Sequence, residues 1–223
     1  MTVQKQLIQS WFRRWLEPLT TLVHRLGISP DALTLTGLVL SLASAVLIAG
    51  GRFLVGAIVL LVGSLCDVLD GSLARRGGRA SKGGAFLDST LDRFSEIAVY
   101  LGLLYHYRGA AALQLIVALA LTGSLMTSYA RARAEGLDID CKVGLLERPE
   151  RLALLIVGLL AAPLRVAGVG PLELILTLLA ILTYVTTFQR IAHVMSRARD
   201  RAPEPVDAAE PDGEALSASS RQP

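Results

Sequence analysis

Six stretches of the chain come near the length of a membrane span, at about residues 32–50, 53–75, 85–105, 110–133, 151–168 and 171–195. A hydrocarbon core of ~30 Å needs ~20 apolar residues in a helix, so each stretch is read as a transmembrane helix. The second and third stretches differ from the rest, because each carries aspartates near one end, and the fourth ends in a run of basic residues. Ahead of the first, residues 3–16 place Leu7, Trp11 and Trp15 four apart, with Phe12 beside them and Lys5, Arg13 and Arg14 supplying charge. That pattern predicts an amphipathic helix lying in the membrane interface. Residues Gly27 to Asp31 read as a turn, and the Pro-, Glu-, Asp- and Ser-rich segment from about Ala202 reads as a disordered tail. The fold expected is all-α: a polytopic membrane protein of six transmembrane helices with an N-terminal interfacial amphipathic helix. Its parts are an interfacial segment over 1–30, a membrane domain over 31–196 and a tail over 197–223.

Composition supports this layout. Hydrophobic residues make up 52% of the chain and aromatics only 5%, so the apolar mass is Leu, Ala, Val and Ile, as lipid-facing helices require. The net charge of +3 says less than its distribution. The N-terminal segment, the 2–3 and 4–5 connections and the C-terminal segment hold eighteen of the 22 lysines and arginines. The other three loops hold one each, Arg52, Arg108 and Arg165, and Arg93 lies inside the third span. The positive-inside rule then puts both termini and the aspartates on the cytoplasmic side. A cell (inner) membrane location follows, and no signal peptide is expected, since no early apolar run leads to a small-residue cleavage site. The basic residues follow topology, and no nucleic-acid partner is expected. Cys66 and Cys141 form no CxxC pair, and His24, His106 and His193 are isolated, so neither a disulfide framework nor a zinc site is indicated.

The chemistry concentrates between Cys66 and Glu96. Asp67 and Asp70 are three apart and share a helix face; Asp88 and Asp92 are four apart and share a face of the next helix. A short glycine-rich connection makes the two helices antiparallel neighbours, so four carboxylates can converge at their loop ends. Ionisable groups in spans are functional candidates, and clustered carboxylate oxygens suit Mg²⁺ or Mn²⁺. Gly71 and Ala74 open a groove beside the metal. Gly83 and Gly84 precede a helix N-terminus suited to phosphate, with Arg75 opposite.

These residues match the signature of the CDP-alcohol phosphotransferases, D-x-x-D-G-x-x-A-R-x8-G-x3-D-x3-D, at Asp67, Asp70, Gly71, Ala74, Arg75, Gly84, Asp88 and Asp92. The resemblance implies a six-helix membrane bundle, commonly homodimeric. It also implies transfer of a substituted phosphate from a CDP-linked donor, such as CDP-diacylglycerol, to an alcohol, with release of CMP. By the same resemblance Asp67, Asp70 and Asp88 hold two divalent ions, and Asp92 binds one of them and acts as general base. Gly71, Ala74, Arg75 and Gly84 line the cytidine and pyrophosphate site. Pro30, Asp31 and Thr34 resemble a PNxxT-like turn before the first span, with Asp where Asn is common, which implies that Thr34 also belongs to the donor site.

The second polar cluster is Ser128 to Glu135 followed by Gly144 to Arg151. Arg131, Arg133, Arg151 and Arg190 are expected near the same mouth as the aspartates, and guanidinium forks suit a phosphate monoester. The acceptor is therefore expected to carry a phosphate. The SYxRARAE and GxxERxER patterns resemble phosphatidylinositol phosphate synthases and their archaeal counterparts, which implies inositol 1-phosphate as acceptor. Glycerol 3-phosphate as acceptor, in phosphatidylglycerophosphate synthesis, and CDP-inositol as donor remain alternatives. A divalent-cation transporter is the non-enzymatic alternative, but the charges stop at one side of the spans, whose interiors are mostly Leu, Ala and Val.

Overall fold

The computed structural model describes residues 17–23, 25–76, 81–164 and 170–200, apart from the side chains of 74–76 and 200. The interfacial helix expected over 3–16, the tail from 202 and Arg165 lie outside those residues. A short helical stretch over 17–23 precedes six helices: α1 (Pro30–Ala49), α2 (Phe53–Arg76), α3 (Lys82–His106), α4 (Ala111–Glu135), α5 (Arg148–Ala161) and α6 (Pro171–Asp200). All regular structure among the described residues is helical.

Local sequence explains the starts. Ser29 caps α1, its hydroxyl accepting the Ala32 N–H at 3.2 Å, and Pro30 occupies the first helical turn, where an N–H is not needed. Ser81 caps α3 in the same way. At α5 the Glu147 N–H donates to the Glu150 side chain at 2.7 Å, closing a capping box that starts the helix at Arg148. The fifth helix therefore begins three residues before the span expected from hydropathy. It ends at Ala161, just before Pro163, rather than near 168.

Which residues α1 buries identifies its surroundings. Thr34, Gly37, Ser41, Ser44 and Ile48 recur at helical spacing on its buried face. Leu35, Val39, Leu42 and Val46, at the same spacing, are exposed. A water-soluble helix arranges these classes the other way round. Small and polar residues inside with apolar residues outside is the packing of helices in lipid, where backbones approach closely. Ser44 donates to the Gly56 carbonyl at 2.8 Å, and Gly102 packs so tightly on Ala45 that a Cβ there would strike the Ala45 backbone.

Among the described residues four helices are long and apolar enough to cross a membrane: α1, α2 over Phe53–Leu73, α4, and α6 over Pro171–Arg199. The other two differ for physical reasons. Helix α3 carries Asp88, Asp92, Arg93 and Glu96, and α5 has 14 residues. At 1.5 Å per residue α5 is ~21 Å long, short of the hydrocarbon core.

The helices pack as two groups of three. α1 lies against α2 and α3, and α6 lies against α4 and α5. The groups meet where α2 touches α5 and α3 touches α4. An apolar core including Ile48, Leu60, Leu103, Leu159, Leu172 and Leu176 joins both groups, away from the charged ends.

Candidate active site

The first group supplies acids. Asp67 and Asp70 come from the C-terminal part of α2, and Asp88 and Asp92 from the first turns of α3. Their carboxylates act electrostatically on one another: Asp88 on Asp67, Asp70 and Asp92, and Asp67 on Asp70 and Asp92. Asp70 and Asp92 are buried. Thr34, in the first turns of α1, donates to Asp70 Oδ2 at 2.6 Å and fixes that carboxylate's orientation. Gly37, one turn further along α1, is the place where Asp67 Oδ1 rests against the helix backbone.

The second group supplies bases. Arg190 of α6 donates from Nη1 to the Thr127 carbonyl at 2.6 Å and from Nε to the Val143 carbonyl at 2.9 Å. Arg151 of α5 donates from Nη2 to the hydroxyl of the next residue on α4, Ser128, at 3.1 Å. Arg190 also feels the charges of Arg131 and Arg151. Three of the four arginines expected at an acceptor site are thus gathered around the C-terminal part of α4. Arg131 is paired with Glu135 at 2.8 Å, one turn on, and Arg133 points outward and is exposed. Arg151 is 2% exposed and Arg190 3%, so both are held by protein groups rather than displayed to solvent.

Two residues not expected at the site from the sequence, Arg148 and Glu96, join the halves. Arg148, in the first turn of α5, reaches into the acidic cluster, with Nη1 2.7 Å from Asp92 Oδ2 and Nη2 3.5 Å from Asp67 Oδ2. Arg93 approaches Asp92 at 3.7 Å. Glu96, one turn beyond Asp92 on α3, accepts from Ser124 at 2.5 Å and lies 3.5 Å from Arg151. Glu96 Oε2 and Arg151 Nε are buried without a hydrogen-bond partner. A cavity of ≈ 20 Å³ lies beside them, lined in part by Ser41, Ser64, Asp67, Glu96, Arg148 and Arg151, with room for about one water. Sequence offered a signal for Glu96, since Asp88, Asp92 and Glu96 recur every four residues along one face of α3. For Arg148 it offered only a place in the GxxERxER pattern, with nothing to tie that arginine to the aspartates.

The expected donor-site residues fall as follows. Gly71 is half-buried on α2 beside Asp70, while the side chains of Ala74 and Arg75 lie outside the described residues. The Gly84 N–H donates to Ser81 Oγ at 2.9 Å, so the N-cap takes that N–H. Among the described residues no three acidic, imidazole or thiol groups surround one point as an ion would require. Two of the acids are instead drawn to a guanidinium. The donor set nonetheless fits a hard divalent ion: it is all carboxylate oxygen, mutually repelling, and it already attracts a cation in Arg148.

Comparison with known proteins agrees with this geometry. The family model for CDP-alcohol phosphatidyltransferases matches residues 27–197. The chain is 38% identical over 187 residues to the archaetidylinositol phosphate synthase of Methanothermobacter thermautotrophicus, covering 83% of this chain and 91% of that one. It is 35% identical over 195 residues to the phosphatidylinositol phosphate synthase of Streptomyces avermitilis, covering 83% and 80%. The fold superposes on the crystal structure of the Mycobacterium tuberculosis phosphatidylinositol phosphate synthase with CDP-DAG bound, with TM-score 0.76 and 33% identity, covering 86% of this chain and all of that one. The same enzyme in complex with manganese and citrate gives a TM-score of 0.75. The chain belongs to the CDP-alcohol phosphatidyltransferase family. Membership makes it a phosphotransferase, and its apolar helices make it a membrane protein.

Proposed function

We propose that this protein transfers the phosphatidyl group of CDP-diacylglycerol to inositol 1-phosphate, giving phosphatidylinositol phosphate and CMP. The observation that carries the reading is the meeting of an acidic cluster from α2 and α3 with a basic cluster from α4, α5 and α6. One cluster suits a metal-bound pyrophosphate and the other a phosphate monoester. The relatives named as synthases of phosphatidylinositol phosphate and archaetidylinositol phosphate favour inositol phosphate over glycerol 3-phosphate.

In this account Asp67, Asp70, Asp88 and Asp92 hold two Mg²⁺ or Mn²⁺ ions. When bound, such ions neutralise the pyrophosphate and stabilise the charge that builds on departing CMP. Asp92 stands as the general base. Its carboxylate takes the proton of the acceptor hydroxyl as that oxygen attacks the phosphatidyl phosphorus, and the bond from phosphorus to the CMP oxygen breaks. Thr34 holds Asp70 in place. Gly71, Ala74, Arg75 and Gly84 line the donor site. Arg131, Arg151 and Arg190 receive the acceptor phosphate, with Arg133 at the rim. All six helices belong to the membrane domain, with α3 and the short α5 packed alongside the four longer apolar helices. The site and both termini lie at the cytoplasmic face of the cell membrane, a reading supported by the charge of the loops, and the working form is a homodimer.

The test is to follow radiolabelled inositol 1-phosphate with the purified protein in vesicles containing CDP-diacylglycerol and Mg²⁺. Label entering the lipid phase in step with CMP release is the expected result. Label remaining in water, with CMP released only when CDP-inositol replaces CDP-diacylglycerol, would reassign the donor.

A further inference from the structure

We propose that Arg148 is the resident counter-ion of the acidic cluster, which a divalent ion must displace. Loading of the metal thereby frees a guanidinium for phosphate. The inference rests on the divalent-metal reading of the aspartates.

Arg148 bridges Asp92 and Asp67, at 2.7 Å and 3.5 Å, and so ties α5 to both helices that carry the acids. Each contact takes up a lone-pair direction of a carboxylate oxygen and sets a positive charge inside the cluster, so an entering ion competes with the guanidinium for the same two carboxylates. The two arginines of α5's first turn differ in freedom. Arg151 is 2% exposed and fixed by Ser128, whereas the Arg148 side chain is 26% exposed. Among the described residues, the side-chain partners of Arg148 are Asp92 and Asp67. Three residues apart, the two arginines share one face of α5. A displaced Arg148 therefore stays beside Arg151 and the basic cluster, where its next partner is an anion such as a substrate phosphate. Binding of metal and of phosphate then reinforce each other, and the reinforcement is reciprocal.

Mn²⁺ titration of the full-length protein in detergent, without nucleotide and followed by electron paramagnetic resonance, tests this directly. Arg148→Met removes the competitor while keeping an apolar stem. The metal no longer has to break a charge-assisted contact, so the variant should bind Mn²⁺ about tenfold more tightly than the unaltered protein. Arg148→Lys keeps a cation without the two-pronged fork and should fall between them. Equal or weaker binding by Arg148→Met, with the unaltered protein binding normally, overturns the proposal. Binding by neither protein removes the metal reading and the proposal together. Hydrogen exchange on the unaltered protein gives a measurement that needs no variant. Mn²⁺ should speed exchange over residues 148–152 as the bridge to α2 and α3 is lost, and unchanged or slower exchange there contradicts the displacement.

Discussion

At the scale of single residues the account turns on which charged groups act and which support. Asp92 is buried on α3, where the side chain of Arg148 reaches it from α5 and Arg93 stands beside it. Replacing it by Asn keeps its shape and removes its basicity. CMP release by Asp92→Asn should fall by ~10²–10⁴-fold, the usual contribution of a positioned base. Binding of Mn²⁺ and of the CDP-lipid should persist, and near-normal turnover would remove Asp92 as base. The basic cluster divides by burial. Arg151→Ala leaves Glu96 buried without its cation, a change that costs about 3 kcal/mol or more. It should lower the melting temperature as well as raise KM for the acceptor. Arg131→Ala breaks only a partly exposed pair with Glu135 and should move KM with little effect on melting. Equal melting losses in the two variants would contradict this division. The aspartates were legible in the sequence because ion binding by two neighbouring helices demands acids at fixed spacings on each. Arg148 was not, because its partners lie 56 and 81 positions away and no local pattern ties them together.

At the scale of elements, a small residue in one helix sets a functional side chain in another. A methyl group added at Gly37 of α1 would meet the Asp67 carboxylate of α2, the movable end of a side chain, as well as the Gly63 carbonyl at 3.3 Å. Gly37→Ala should therefore shift Asp67 more than it disturbs the fold. The expected signs are Mn²⁺ binding weakened severalfold and slower CMP release, with the protein still monodisperse in detergent. Wild-type metal affinity would show that Asp67 has room to relax. The helices themselves were readable from hydropathy, since five of the six expected spans lie within a few residues of the observed helices. The fifth was misplaced because hydropathy does not register a capping box. Glu147 and Glu150 start α5 among charged residues, and Pro163 follows its end. That early start is what places Arg148 on a helix, aimed at the acids, instead of in a loop.

Over the whole molecule the division of labour follows the packing. The group α1–α3 carries acids and the group α4–α6 carries arginines, and they meet at α2·α5 and α3·α4 with Arg148 and Glu96 crossing the seam. An exchange between a pyrophosphate donor and a phosphorylated acceptor needs such a seam, because each substrate brings negative charge that must be met separately. The inward polar stripe and outward apolar stripe of α1 set this apparatus in lipid, where a CDP-linked lipid is found. The central claim is that the two clusters serve a CDP-lipid donor and a phosphorylated inositol acceptor. CMP release by the purified protein in detergent tests it most directly, with CDP-diacylglycerol and Mg²⁺ and with inositol 1-phosphate, glycerol 3-phosphate, free inositol or serine in turn. Release is expected with inositol 1-phosphate and none above background with the other three. Release with glycerol 3-phosphate instead would keep the chemistry of the aspartates and contradict the inositol assignment, and release with free inositol would contradict the role given to the arginines.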